Sequence, residues 1–114
     1  MGKTMLIIRK RLIPGSRVEE GLRLCAAMLG MDYVPNVVFV DNGVEILFPD
    51  ALYKSNLKDY LMVMSDLAGV YVFEESLIER EITLDDLEPS FDATVIDSDE
   101  LREMAKKCTI ITSF

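Results

Sequence analysis

Five short apolar runs constrain the fold of this chain more than any other feature of its sequence. Met5–Ile8, Val37–Val40, Val70–Phe73, Ala93–Ile96 and Thr109–Thr112 are rich in Val and Ile and do not alternate, the pattern of strands covered on both faces. Between them the apolar period becomes helical. Val18, Leu22, Cys25 and Leu29 share one face, Leu57, Leu61, Met64 and Ala68 a second, and Leu101, Met104 and Ala105 a third. Ser16 with Glu19 makes a capping box and Asp97 with Glu100 resembles one, while Gly30 and Gly69 stand where two helices should stop. Strand and helix alternating through most of the length predict an α/β fold, a parallel sheet with helices on both faces, as one domain over residues 1–114. No linker or internal repeat interrupts it.

Composition narrows the class. Half of the 114 residues are apolar and 28% are charged, so a folded globular chain is expected rather than a disordered one. The longest unbroken apolar run, Leu24–Leu29, is far short of the roughly 20 residues that a membrane-spanning helix needs. The N-terminus carries no signal-peptide pattern, and the expected location is the cytoplasm, with no membrane partner. There the two cysteines, Cys25 and Cys108, are expected as reduced thiols. The net charge of −8 is unevenly spread: residues 1–30 carry six Lys/Arg against two Glu, the remainder six against eighteen acids. Direct nucleic-acid binding is therefore disfavoured, whereas a local anion site in the basic N-terminal third is not.

Ligands of open parallel sheets meet the carboxyl ends of the strands. The first such edge reads Arg9-Lys10-Arg11-Leu12-Ile13-Pro14-Gly15-Ser16 and ends at a helix N-terminus. Arg9, Lys10, Arg11 and Ser16 are therefore candidates to hold a phosphate, a sulfur oxyanion or an acidic partner. The alternative is a solvated basic loop.

Other chemistries lack their parts. Gly2-Lys3-Thr4 imitates the end of a phosphate-binding loop but precedes the strand that it should follow, and no G-x-G-x-x-G is present. The loop after the first run is a poor flavin cradle, and Arg9 and Lys10 stand where a phosphoacceptor domain would carry acids. No histidine is available for a metal set or a nucleophilic relay. Asp97-Ser98-Asp99-Glu100 lacks the glycine and spacing of a calcium loop and reads as an acidic helix start, and Asp85 and Asp86 read as solvated turn residues. No cofactor and no metal are expected. Of the thiols, Cys25 lies on an apolar stripe, as a small core residue would. Cys108 follows Lys106 and Lys107, which would favour a thiolate, but it opens a parallel strand, opposite the usual ligand edge.

Taken together, "PGSRVEEGLRLCAAML", "VVFVDNGVEIL", "VYVFEESLIER" and "CTIITSF" resemble the DsrE/DsrF (DsrEFH) sulfur-relay family, most of all its DsrF or TusC type subunits. The resemblance runs in order over almost the whole chain. It implies a three-layer α/β/α fold of flavodoxin-related architecture with a mainly parallel five-stranded sheet. It also implies assembly, either with itself or with related DsrE- and DsrH-type subunits. Such proteins pass persulfide sulfur between cysteines, toward 2-thiouridine in transfer RNA or in dissimilatory sulfur oxidation. Asp41-Asn42-Gly43-Val44 matches the family's turn after the second strand, Glu20-Gly21-Leu22 its first helix, and Ser76-Leu77-Ile78-Glu79-Arg80 the segment after the third strand. Glu81 departs from a customary arginine-glycine pair. A second departure bears on chemistry, because the family's cysteine position falls on Phe73, beside Glu74 and Glu75. Phenylalanine has no nucleophile and no titratable proton.

The resemblance and this departure together imply a non-catalytic relay subunit without independent enzyme activity. A homo-oligomeric binder of a small molecule or anion is the alternative from another class, and a sulfur carrier using Cys108 is the third.

Overall fold

The computed structural model describes residues 3–52 and 56–114. Gly2 of the Gly2-Lys3-Thr4 imitation lies outside them, and Lys3 and Thr4 open the first strand. Five strands, β1 (Lys3–Ile8), β2 (Asn36–Phe39), β3 (Val70–Phe73), β4 (Thr94–Ile96) and β5 (Cys108–Ser113), form one sheet in the order β4-β3-β2-β1-β5. Every pairing is parallel. Parallel neighbours need crossovers, and α1 (Arg17–Gly30), α2 (Leu57–Leu67), α3 (Glu74–Glu79) and α4 (Ser98–Lys106) supply them. The first three connections step one way across the sheet. The fourth returns from one edge to the other, and right-handed crossing puts α4 on the opposite face. The expected α/β/α architecture is thus the observed one.

The two faces differ in depth. On the first, Leu6, Ile8, Val37, Phe39, Val70 and Val72 of the strands meet Val18, Leu22 and Cys25 of α1 and Leu57, Leu61 and Met64 of α2 in one fully buried cluster. On the second, Met5, Val38 and Ile96 are buried, and the half-buried Leu101, Met104 and Ala105 of α4 cover them. No residue of α4 is itself buried.

Helix ends follow local chemistry, with one change from expectation. Ser16 and Asp97 cap α1 and α4 by accepting from the backbone N–H groups of Glu19 and Glu100. Gly69 is left-handed after α2, but Gly30 is the last residue of α1 rather than its stop, and Asp32, at φ 60°, makes the reversal. An aspartate tolerates that conformation because its short polar side chain can bond locally. Glu81, at φ 52°, closes α3 in the left-handed conformation without a glycine.

Coverage of both faces holds for β1 and β2 and fails at the edges. β5 is an outer strand with Ile110 57% and Ile111 50% exposed, and Thr94 of β4 is exposed. An apolar run records a strand's affinity for burial. Its place in the order is set by the return crossover.

Candidate functional site

The carboxyl ends of β1, β2 and β3 meet at a junction built mainly by backbone packing. The turn after β2 is a 3-10 helix over Asp41–Leu47. Its Gly43 N–H donates to the carbonyls of Val40 and Arg9 at 2.9 and 3.2 Å. A β-carbon on Gly43 would stand 2.1 Å from the carbonyl oxygen of Ile8, so only glycine allows the turn to press against the end of β1. The Asp41 N–H donates to the buried Ser76 hydroxyl of α3 at 2.8 Å. Arg80 donates to Asn42 Oδ1 at 3.2 Å and to the Ser76 carbonyl at 3.3 Å. The motifs Asp41-Asn42-Gly43 and Ser76 to Arg80, separate in sequence, are one hydrogen-bonded unit in space.

Phe73 is the last residue of β3 and the N-cap position of α3. Alternation along β3 sends Val70 and Val72 into the deep core and Tyr71 and Phe73 toward the α4 face. There the half-buried Phe73 ring, with Ile7, Val40 and Leu101, lines an open recess of about 360 Å³ rimmed by Arg9 and Asp41. Glu74 and Glu75 point outward, and Glu75 accepts from the Ser98 hydroxyl at the start of α4 at 3.3 Å. The Phe73 side chain offers neither a nucleophile nor a titratable proton to this recess.

Of the proposed anion-binding residues, Arg9 pairs with Asp41 at 3.6 Å and Arg11 with Glu45 at 2.6 Å. Both cations are thus partly neutralised by the turn after β2. Lys10 is exposed and has no ion pair among the described residues. Ser16 is engaged as the cap of α1. The structure therefore brings Arg9 to Phe73 and the recess, while Arg11 and Ser16 face other tasks.

The thiols sit away from this edge. Cys25 is buried between α1 and the sheet, and desolvation pushes its pKa up to about 12 from 9.0, so it stays a neutral thiol. Cys108 is half-buried and pairs with Lys3 at the amino end of β1. Its Sγ donates to the Met104 carbonyl at 3.3 Å and accepts from Asn36 Nδ2 at 3.7 Å. Six-residue strands separate the two edges by roughly 16 Å, so Cys108 cannot reach the Phe73 junction.

The sequence does not single out Ser76 as a site residue, because a serine within a helix motif gives little sign that it will be buried. Its only sequence signal is a polar residue on the apolar side of a short helix, next to Leu77. Among the described residues, no three Cys, Asp or Glu side chains are grouped to hold a metal ion, and no helix is long and apolar enough to cross a membrane.

The chain is an α/β/α protein with an all-parallel five-stranded sheet, α4 alone on one face and a strand-to-helix junction at the carboxyl edge. The crystal structure of the ychN protein from E. coli is similar over 100% of both chains, with a TM-score of 0.75 and 14% sequence identity, a likeness of fold. No protein-family model matches the chain, and no curated protein matches it in sequence.

Proposed function

We propose that this chain is a non-catalytic subunit of a sulfur-relay assembly, of the DsrF or TusC type, that carries no sulfur itself. The observation supporting this reading is the chemistry of the junction after β3. A cysteine there would meet free backbone N–H groups that favour a thiolate. Phe73 offers an apolar ring instead, Cys25 is shut in the core, and Cys108 opens β5 at the far edge. The chain's contribution is then surface. It presents the Phe73 recess and the Arg9–Asp41 rim beside a partner's reactive cysteine, in the cytoplasm, with related subunits or copies of itself as partners.

The test has two parts. Incubation with a persulfide donor followed by intact-mass analysis is expected to add little sulfur mass, and native mass spectrometry of the protein from its own cells is expected to find it with homologous chains. Rapid stoichiometric addition at Cys108 would replace this reading with a sulfur carrier. The recess itself favours a second reading: apolar walls with a guanidinium at the rim suit a small amphipathic anion. A self-contained homo-oligomer that retains such a molecule through purification would favour that binder.

A further inference from the structure

Two surface features away from the Phe73 junction are complementary. The first is a rigid knob. Ser16 N–H donates to the Ile13 carbonyl at 3.0 Å and Gly15 sits at φ 79°, making Ile13 to Ser16 a β-turn of the kind that Pro14 and Gly15 pre-organise. The Ser16 hydroxyl also caps α1, which holds the turn from its other end. Ile13 is 63% exposed on this support. Three residues before it stands Lys10, exposed and unpaired among the described residues.

The second feature is an open recess of about 240 Å³, whose apolar lining is Leu84, Leu87, Pro89 and Ala93 and whose charged lining is Asp85, Glu88 and Asp92. Leu87 is buried, whereas Leu84 is 49% exposed. Residues 81–101 contain no Lys or Arg, so these acids have no counter-charge from their own segment. Lys58 of α2 lies near Glu88, and Glu88 also accepts from the Ser90 hydroxyl at 2.7 Å. Asp85 and Asp92 are exposed and in no ion pair among the described residues.

The knob follows the carboxyl end of β1, the strand beside the edge strand β5. The recess precedes the amino end of the edge strand β4. They occupy different parts of the surface, one basic and one acidic, each with an apolar centre. We propose that Ile13 of one copy seats in the 84–93 recess of a second copy, with Lys10 against Asp85 and Asp92. An aliphatic anchor on a pre-ordered turn loses little freedom on binding, and the flanking charges set its orientation. The contact joins unlike surfaces, so it is head-to-tail, and repetition closes a ring or extends a chain. It rests on the subunit reading only in requiring that copies assemble.

The test follows the full chain by sedimentation velocity at about 50 mM and about 500 mM salt, with circular dichroism to confirm folding. Assembly is expected to weaken at the higher salt and, in Ile13→Asp, by about tenfold or more. Lys10→Glu and Asp85→Lys are each expected to weaken it several-fold, and the double variant carrying both reversals to regain most of the loss, because opposite charges again face each other. Assembly that is unchanged in all three single variants would overturn the proposal and leave the subunit reading standing. So would its loss in Ile111→Lys alone, which would place the contact at the β5 edge. A folded chain that sediments only as a 12.9 kDa species at both salts would overturn the contact together with the homomeric form of that reading.

Discussion

The two faces of the sheet divide stability from access. The α1/α2 face packs Phe39, Ile8, Leu22, Leu61 and Met64, none more than 3% exposed, into a continuous core. The α4 face rests on three buried strand residues under a nine-residue helix that buries none of its own. Yet Phe73, the rim of Arg9 and Asp41, and Cys108 all lie on that thinner side. A face with fewer buried contacts opens at lower free energy and leaves recesses that a partner can fill. In this fold the side that contributes least to stability is the side that carries the Phe73 recess.

The strongest challenge to this comparison is a matched pair of truncations. Phe39→Ala in the deep core is expected to cost about 3–5 kcal/mol, enough to leave a small domain largely unfolded. Leu101→Ala on α4 is expected to cost about 1–2 kcal/mol, below the range for fully buried leucine because part of the side chain already meets water. Urea denaturation midpoints measure both, and equal losses would erase the distinction between the faces.

Phe73→Cys, in a Cys25→Ala, Cys108→Ala background, sharpens the comparison from the thin side. Removing the half-buried ring is expected to cost roughly 1–3 kcal/mol. The new thiol is expected to be alkylated readily and to titrate below about 8.5, since fixed backbone N–H donors outweigh Glu74 and Glu75, which can turn into water. The pH dependence of alkylation is the measurement. A folded variant with an inert thiol, or one titrating at or above the unperturbed value, would detach this junction from persulfide chemistry.

The native thiols give a smaller contrast. Cys25 is expected to resist a disulfide reagent at neutral pH until the protein unfolds, while the half-buried Cys108 reacts in the native state at a slow but measurable rate. Cys25 also carries a pH effect. Below its unfolded value of 9.0 both states keep the proton, and above it the unfolded chain loses the proton first, so stability falls as pH rises from 9.0 toward about 12. The drop in denaturation midpoint between about pH 8 and about pH 10.5 is expected to be smaller in Cys25→Ala. The smallest change expected is that of Arg9→Ala, within about 0.5 kcal/mol, because its pair with Asp41 is exposed on both sides. A larger loss would mean that the recess rim is structural.

Most of the architecture is legible in the sequence because periodicity reports burial directly. Val37 to Phe39 and Val70 to Val72 had to be strands, and Val18, Leu22 and Cys25 had to face one core. Capping at Ser16 and Asp97 is equally local, since a side-chain oxygen three residues before an N–H needs no tertiary context. The site was legible only in part. Phe73 could be placed at the end of a strand, but not on the α4 face beside Arg9. The pairing of Arg9 and Arg11 with acids 32 and 34 positions later was not visible either.

The sequence by itself determined the element types, the parallel class and the absence of a nucleophile at Phe73, because each depends on residue chemistry or on neighbours within a few positions. Tertiary structure alone decided that β5 rather than β2 lies at an edge, that one helix covers a whole face, and that Ser76 joins the turn after β2 to α3. These depend on the direction in which each crossover packs. A run such as Thr109 to Thr112 has the same pattern at the centre of a sheet as at its rim, and only the assembled order separates them.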